Sequence, residues 1–559
     1  MKKDNSKIIF LNLFFLLSFL FCIILITQIV FLLGGTIQPF ILLSSFILSI
    51  ATSIYIFKDK CTKKTIIYSI LFNIIIFSLL LSLAGLFHDI SWDGRTYHQN
   101  SIIALKNGWN PLYENILADQ NWTNYWENIY PKATWILSAN LNIFTNNIEY
   151  SKVFNFIFLL ISVYMVLAVL SKTTKISFTN KLLLTFIITV NPVVIQQLFT
   201  FYLDGILYSL LITVIFLLYY IFRYRVKTPK YIYIMLFMTL SILFNIKFTG
   251  LAYAIITLFV FASFLLYFKR YTIIKQNIMF LVTLFIVGII FLGYNPYTKN
   301  IINDRHIFYP LMGADKITFE QSKPKIMKDN NRIHNLYLSL FTQTSNNRNF
   351  EPTTPFPLSL KNLSWKDMKY DDVRIGGFGP LFGLTLIFAF ILILDKLFSK
   401  SSKRYIKYFL FFFIAILAGV LANPESWWSR YVPQLWLFPA MAVFLYLYSP
   451  KRAVLKFVSY SIMIMMIITI CFTSYYTLQR VVKFSNQIDT KIKNMKKEKR
   501  LIVKYDNKYP FKTSLENLLN ENNINHINSV DYKGKKTLLY KTIDLRKQKG
   551  VSVYVISSD

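Results

Sequence analysis

Residues 88–98, His-Asp-Ile-Ser-Trp-Asp-Gly-Arg-Thr-Tyr-His, bring two histidines, two aspartates, an arginine and a tyrosine into eleven positions. Asp89, Asp93 and Tyr97 recur every four residues. On a helix they would share one face, with successive Cβ atoms about 5–6 Å apart. Two carboxylates that close push one pKa upward, which suits a general base. The plainer reading is capping: Ser91 or Asp89 closes a helix N-terminus and Asp93 faces its dipole. The spacing leaves either Asp89 or Asp93 as that base, with Tyr97 and His98 beside them. The pair Arg305-His306, near a membrane boundary, offers cationic and hydrogen-bonding groups that a phosphate-bearing ligand would want, and further cations stand at Lys247, Arg374 and Arg430. A divalent cation such as Mg or Mn could sit on Asp89, Asp93 or His306, although no all-protein metal cage is visible.

These residues must be positioned by a very apolar chain. Of 559 residues, 55% are apolar and 16% charged, against about 25% charged in soluble domains. Too few polar residues remain to cover a water-facing surface. Thirteen runs approach the roughly 20 apolar residues a membrane helix needs. They lie near 8–33, 39–57, 65–87, 153–170, 182–199, 203–222, 231–246, 249–267, 276–294, 378–394, 408–422, 432–449 and 457–477. The first exceeds a signal-peptide core and reads as a retained anchor. The expectation is an all-α polytopic membrane domain over 1–477, with long loops at 88–150 and 295–377.

The net charge of +34 then reads as membrane orientation, not as a nucleic-acid footprint. Six short loops and the N-terminus hold 25 Lys and Arg against three acids, Asp4, Asp59 and Asp395. The positive-inside rule puts these segments in the cytoplasm and both long loops outside. Beyond the boundary residue Lys152, four charges remain outside the loops and the tail: Asp204, Lys247, Glu425 and Arg430. All four stand at outer span ends, where an ionisable group marks a functional site or a buried pair. Asp204 and Lys247 could equally be a helix-tying pair, and Arg430 could snorkel beside Trp427, Trp428 and Tyr431. Cys22, Cys61 and Cys471 offer no disulfide framework or metal spacing.

The first long loop is aromatic, at Trp109, Tyr113, Trp122, Tyr125, Trp126, Tyr130 and Trp135. Such rings suit an interfacial helix and also stack on sugars. The second loop has a polar, mobile middle at 316–349 and ends at Arg374-Ile-Gly-Gly-Phe-Gly, where glycines allow a tight turn or close approach to a ligand. The tail, 478–559, is basic. It contains strand-like pieces at 501–504, 537–540 and 551–556 and a helix at 513–520, the pattern of a small α/β domain. Thirteen spans place it outside; one span fewer places it in the cytoplasm.

Together, the outward loop with Asp89, Asp93 and Tyr97-His98, the span-end Asp204, the Asn295-Pro296 loop start and the Arg430-Tyr-Val-Pro433 span start resemble the GT-C superfamily of membrane glycosyltransferases. The branch it looks like contains the protein O-mannosyltransferases and lipid A aminoarabinose transferases, over roughly residues 60–450. The resemblance implies a polyprenyl-phosphate sugar donor, an acceptor glycan, lipid or protein outside the cytoplasm, and a catalytic acid in the first outer loop, carried here to Asp93. It implies donor-phosphate contacts from Arg430, Arg305, Lys247, His306 and Arg374, with Asp204 and Glu425 supporting. Two spans more than usual precede the acidic loop, and the carboxylates are spaced Asp-x-x-x-Asp instead of adjacent. The expected setting is a bacterial plasma membrane with the N-terminus in the cytoplasm and the active face outside, in cell-envelope polysaccharide assembly, with no nucleic-acid partner. The rival readings are a transporter, flippase or polymerase of lipid-linked glycans, and a non-catalytic assembly subunit.

Overall fold

Every one of the thirteen apolar runs carries a helix in the computed structural model. The structure describes residues 6–116, 123–174, 176–313, 316–317, 320–351, 364–399, 403–448, 452–498, 501–505, 510–528, 536–540 and 551–556. Among them, eight helices are long and apolar enough to cross a membrane: Ser6–Leu32, Pro39–Phe57, Lys63–Gly85, Ile148–Thr173, Asp204–Lys227, Phe248–Tyr267, Tyr271–Phe291 and Ala453–Met495. The remaining runs form Phe178–Thr189, Lys230–Phe244, Phe382–Phe398, Lys403–Ala422 and Leu437–Tyr448. The run read as 182–199 breaks in two because Asn191-Pro192 intervenes. Proline removes a helical donor, and Asn191 caps the next turn by accepting from Val194 N at 2.8 Å.

Burial separates these helices. Asp204–Tyr224 and most of Ser6–Leu32 are enclosed, whereas Pro39–Phe57, Lys63–Gly85 and Tyr271–Phe285 turn many apolar side chains outward. Exposed apolar faces on long helices are what a lipid environment requires.

The two long loops are structured. Ala133–Thr145 is a helix with most of its side chains buried, and Trp109, Tyr130 and Trp135 belong to the core. The interfacial expectation is therefore corrected for these three; Tyr113 is exposed, and Trp122 lies outside the described residues. The rings can be buried because their N–H groups are satisfied: Trp135 Nε1 donates to His98 Nδ1 at 2.8 Å, and Trp109 Nε1 to Glu114 O at 3.2 Å. In the second loop the middle expected to be mobile carries the helix Arg332–Phe341. Its Leu338 packs with Met327, Ile375, Trp427 and Trp428.

The tail is a small sheet with one helix. Strands β1 (Leu501–Tyr505), β2 (His526–Asn528), β3 (Lys536–Tyr540) and β4 (Val551–Ile556) lie in the order β2-β1-β4-β3. Strands β1 and β2 are parallel, joined across the helix Lys512–Glu521, and β4 runs antiparallel to β1 and β3. The 43-residue helix Ala453–Met495 leads into this domain. Its Asp489 bonds His88 at 2.8 Å, and Glu521 accepts from Ile148 N at 2.9 Å. The C-terminal domain thus sits on the same side of the helical layer as the first long loop.

Candidate functional site

Four charges from four chain segments meet. Asp204 opens its helix with no side-chain cap from the preceding residue; Gln197 does that work instead, taking Gly205 N on Oε1 at 2.9 Å and giving Nε2 to Asp204 Oδ2 at 3.2 Å. Lys247 stands in extended backbone just before the Phe248–Tyr267 helix and puts Nζ 2.5 Å from Asp204 Oδ1. Arg430 lies in the turn between Ala422 and Pro433. Its Nε reaches Asp204 Oδ2 at 3.0 Å and its Nη2 reaches Asp93 Oδ2 at 2.9 Å. The order is Lys247–Asp204–Arg430–Asp93.

Exposure shows which member can meet a ligand. Side-chain exposure is 2% for Asp204, 7% for Arg430, 11% for Lys247 and 20% for Asp93. Asp93 is the outward end. Aromatic faces hold the cations in place: Arg430 lies 4.3 Å from the Tyr202 ring and 5.1 Å from Trp428, and Lys247 lies 4.7 Å from Tyr431. Arg374 stacks on the same Trp428 at 4.1 Å and pairs with Asp372 at 3.2 Å. The glycine-rich return permits this packing: Gly377 runs so close to the Arg430 turn that a methyl there would lie 2.1 Å from Ser429 Oγ. The close approach expected of these glycines is to the chain's own backbone and side chains.

The other expected residues divide. His98 is buried beside Tyr97, with ring centroids 4.3 Å apart. Burial, then the cations Lys247 and Arg430, hold its imidazole well below the ordinary range. Since an indole N–H can only donate, Nδ1 is its acceptor and the neutral ring carries its proton on Nε2.

Asp89 does not share a face with Asp93. The helical turn begins at Trp92, Ser91 Oγ accepts from Gly94 N at 3.2 Å, and Asp89 accepts from Ser91 N at 2.7 Å and Phe201 N at 3.1 Å. Its neighbouring carboxylate is Glu149, and burial followed by that charge pushes Asp89 up to about 7. Glu425 accepts from its neighbour Trp427 Nε1 at 2.5 Å and does not join Arg430. Arg305 and His306 are exposed; Arg305 rests on Tyr309 and His306 Nδ1 takes Phe308 N, so neither reaches the cluster. Asp89, Asp93 and His306 are not gathered, and no group of three or more His, Cys, Asp or Glu suited to a metal occurs among the described residues.

A second charged cluster escaped the sequence reading. Lys152 donates to Glu149 and to Phe87 O, and Glu149 Oε2 also accepts Asp89 N at 3.0 Å. His88 lies 3.4 Å from Glu149 and 2.8 Å from Asp489. The buried Glu149 carboxylate is thus held between the Lys152 ammonium and the His88 ring. The signal was the i, i+3 pair Glu149/Lys152 where a span begins. Asn295, by contrast, earned its place in the sequence pattern: it joins the two loops, accepting from Lys132 Nζ at 3.1 Å and donating to Pro111 O at 2.7 Å.

No protein-family model matches the chain, and no curated protein is similar to it.

Proposed function

We propose that the chain is an integral membrane glycosyltransferase of the GT-C type, moving a sugar from a polyprenyl-phosphate donor to an acceptor hydroxyl during cell-envelope glycan or glycolipid assembly. The observation that carries the reading is the chain Lys247–Asp204–Arg430–Asp93. It fixes a guanidinium from behind with a buried carboxylate and offers its outer edge to the most exposed acid of the four. The proposal includes thirteen passes, a cytoplasmic N-terminus, a bacterial plasma membrane and an outward-facing site. A lipid-borne donor explains why such a cluster belongs at span ends.

The chemistry follows from what Arg430 holds. At rest its Nη2 is occupied by Asp93. A donor phosphate competes for that edge, since guanidinium binds phosphate oxygens in a fork. Displaced from its cation, Asp93 accepts the acceptor hydroxyl proton. The acceptor oxygen bonds to the anomeric carbon, the bond from that carbon to the phosphate oxygen breaks, and the lipid phosphate leaves with the electron pair. Arg430, still held at Nε by Asp204, meets the charge developing on the leaving group. Arg374, across Trp428, is the second cation within reach of the same phosphate.

The test is a screen of purified protein against polyprenyl-phosphate sugars with mass-spectrometric detection. Asp93→Asn should lower transfer by about 10²–10⁴-fold while the protein still inserts and folds. Normal turnover in that variant removes Asp93 as the base. The closure of the cluster, two cations against two carboxylates, favours one other reading: a structural tie in a non-catalytic assembly subunit. Wild-type protein inactive on every donor would support it.

A further inference from the structure

The C-terminal domain grips the loop that carries Asp93. Phe511, 1% exposed, sets its ring edge-on to Trp92 at 4.9 Å and lies under the Arg95 guanidinium at 4.4 Å. Both partners belong to the start of the helix that runs from Trp92 to Lys106, on either side of Asp93. The far end of the loop is held too, by Glu521 on Ile148 N. A third tie is the long helix: Ser485 Oγ accepts from His88 N at 3.0 Å and Asp489 pairs with the His88 ring. A small cavity between the two parts is lined by His88, Asp89, Arg95, Glu149, Asn517 and Glu521, among others.

We infer that Phe511 is a positioning residue: through Trp92 and Arg95 the C-terminal domain sets the reach of Asp93 to Arg430. This rests on the glycosyltransferase reading for its catalytic consequence, but not for its structural one. The wide turn Gly94–His98 is the first part of a helix that starts at Trp92 under the Ser91 cap and runs on without a break through Gln99–Lys106. The first N–H groups of a helix have no partner within it, so this end depends on outside contacts for its position. Phe511 supplies two of them, on either side of Asp93. The C-terminal domain is then part of the site through Trp92 and Arg95, the neighbours of Asp93 that Phe511 touches.

The experiment uses the full chain in nanodiscs with Phe511→Ala and Phe511→Tyr. Amide hydrogen exchange of 92–99 should rise about tenfold in Phe511→Ala and return in Phe511→Tyr. In the transfer assay kcat should fall by a similar factor with the donor KM unchanged, because Arg430 is untouched. Should the alanine variant unfold the C-terminal domain, Arg95→Met and Trp92→Leu remove the same contacts from the loop side and are read in its place. Unchanged exchange at 92–99 overturns the inference whatever transfer does. Faster exchange with unchanged kcat overturns it as well. If wild type transfers no sugar, the function proposal falls, and the exchange data alone decide whether the domain holds the turn.

Discussion

Asp204→Asn takes away the carboxylate that sits between two cations. Lys247 and Arg430 expose only 11% and 7% of their side chains, so neither recovers much water when Asp204 is neutralised. Two cations are left facing Asp93 alone. Removing one partner of a buried ion pair costs about 3–5 kcal/mol, because the remaining charge stays buried without compensation. Asp93→Asn acts at the other end of the same chain. Asp93 is the most exposed member, makes one ion pair, and leaves Arg430 still bonded to Asp204. Its loss belongs at the low end for a charge-assisted hydrogen bond, about 1.5 kcal/mol. The two variants should therefore differ by about 1.5–3.5 kcal/mol, although they neutralise the same residue type. Lys247→Met falls between them, since Asp204 keeps Arg430. Added to Asp204→Asn, it should recover part of the loss by deleting an uncompensated cation, a coupling that a double-mutant cycle reads directly. The assay is equilibrium unfolding in mixed micelles followed by tryptophan fluorescence, for which Trp428, 5.1 Å from Arg430, and Trp427 stacked on it are suitable reporters. Equal losses for the two aspartates, or a neutral Asp204→Asn, refute the burial order on which the site is built.

Three further outcomes are expected. Burial would lower the His88 imidazole, yet its hydrogen bond to Asp489 and the Glu149 carboxylate 3.4 Å away push it up from 6.5 to about 9. A raised folded-state value gives stability that is complete below about pH 6.5 and lost as pH rises through about 9. Melting points of His88→Gln between those limits should show a flatter slope than wild type; the same slope in both rejects the assignment. Gly377→Ala places a methyl against Ser429, at an overpacking cost of about 1–3 kcal/mol, and by moving the Arg430 turn should lower transfer as well as the unfolding midpoint. Arg374→Met should weaken donor binding, seen as a higher donor KM with kcat largely kept; an unchanged KM takes Arg374 out of the phosphate site.

Hydropathy made the helices legible because a lipid-facing segment cannot hide its composition. Breaks such as Val190–Pro192 are harder to see, since a proline can start a helix as readily as stop one. Charge made part of the site legible for a related reason. Where ionisable groups are scarce and costly, those left over after the topology must find one another, and Asp204, Lys247 and Arg430 did. The same logic misplaced Glu425, because a carboxylate at a span end can also satisfy itself on a neighbouring indole. It misplaced Arg305 and His306 because they stand in an exposed turn, where a charge costs little and carries no information about pairing. Periodicity misplaced Asp89: a four-residue spacing implies a shared face only if the helix runs through both residues, and Ser91 starts the turn between them. The resemblance assigned Asp93 and Arg430 to one site, but their direct ion pair across 337 positions could not be read from the sequence. That contact depends on where separate loops and helices bring their ends together, and no local spacing encodes it. The C-terminal clamp is of the same kind. Phe511 is one aromatic among many in the sequence and acquires a role only because Trp92 and Arg95 arrive against it. The catalytic hypothesis therefore rests on tertiary meetings, and the perturbations that separate the members of each meeting are its strictest tests.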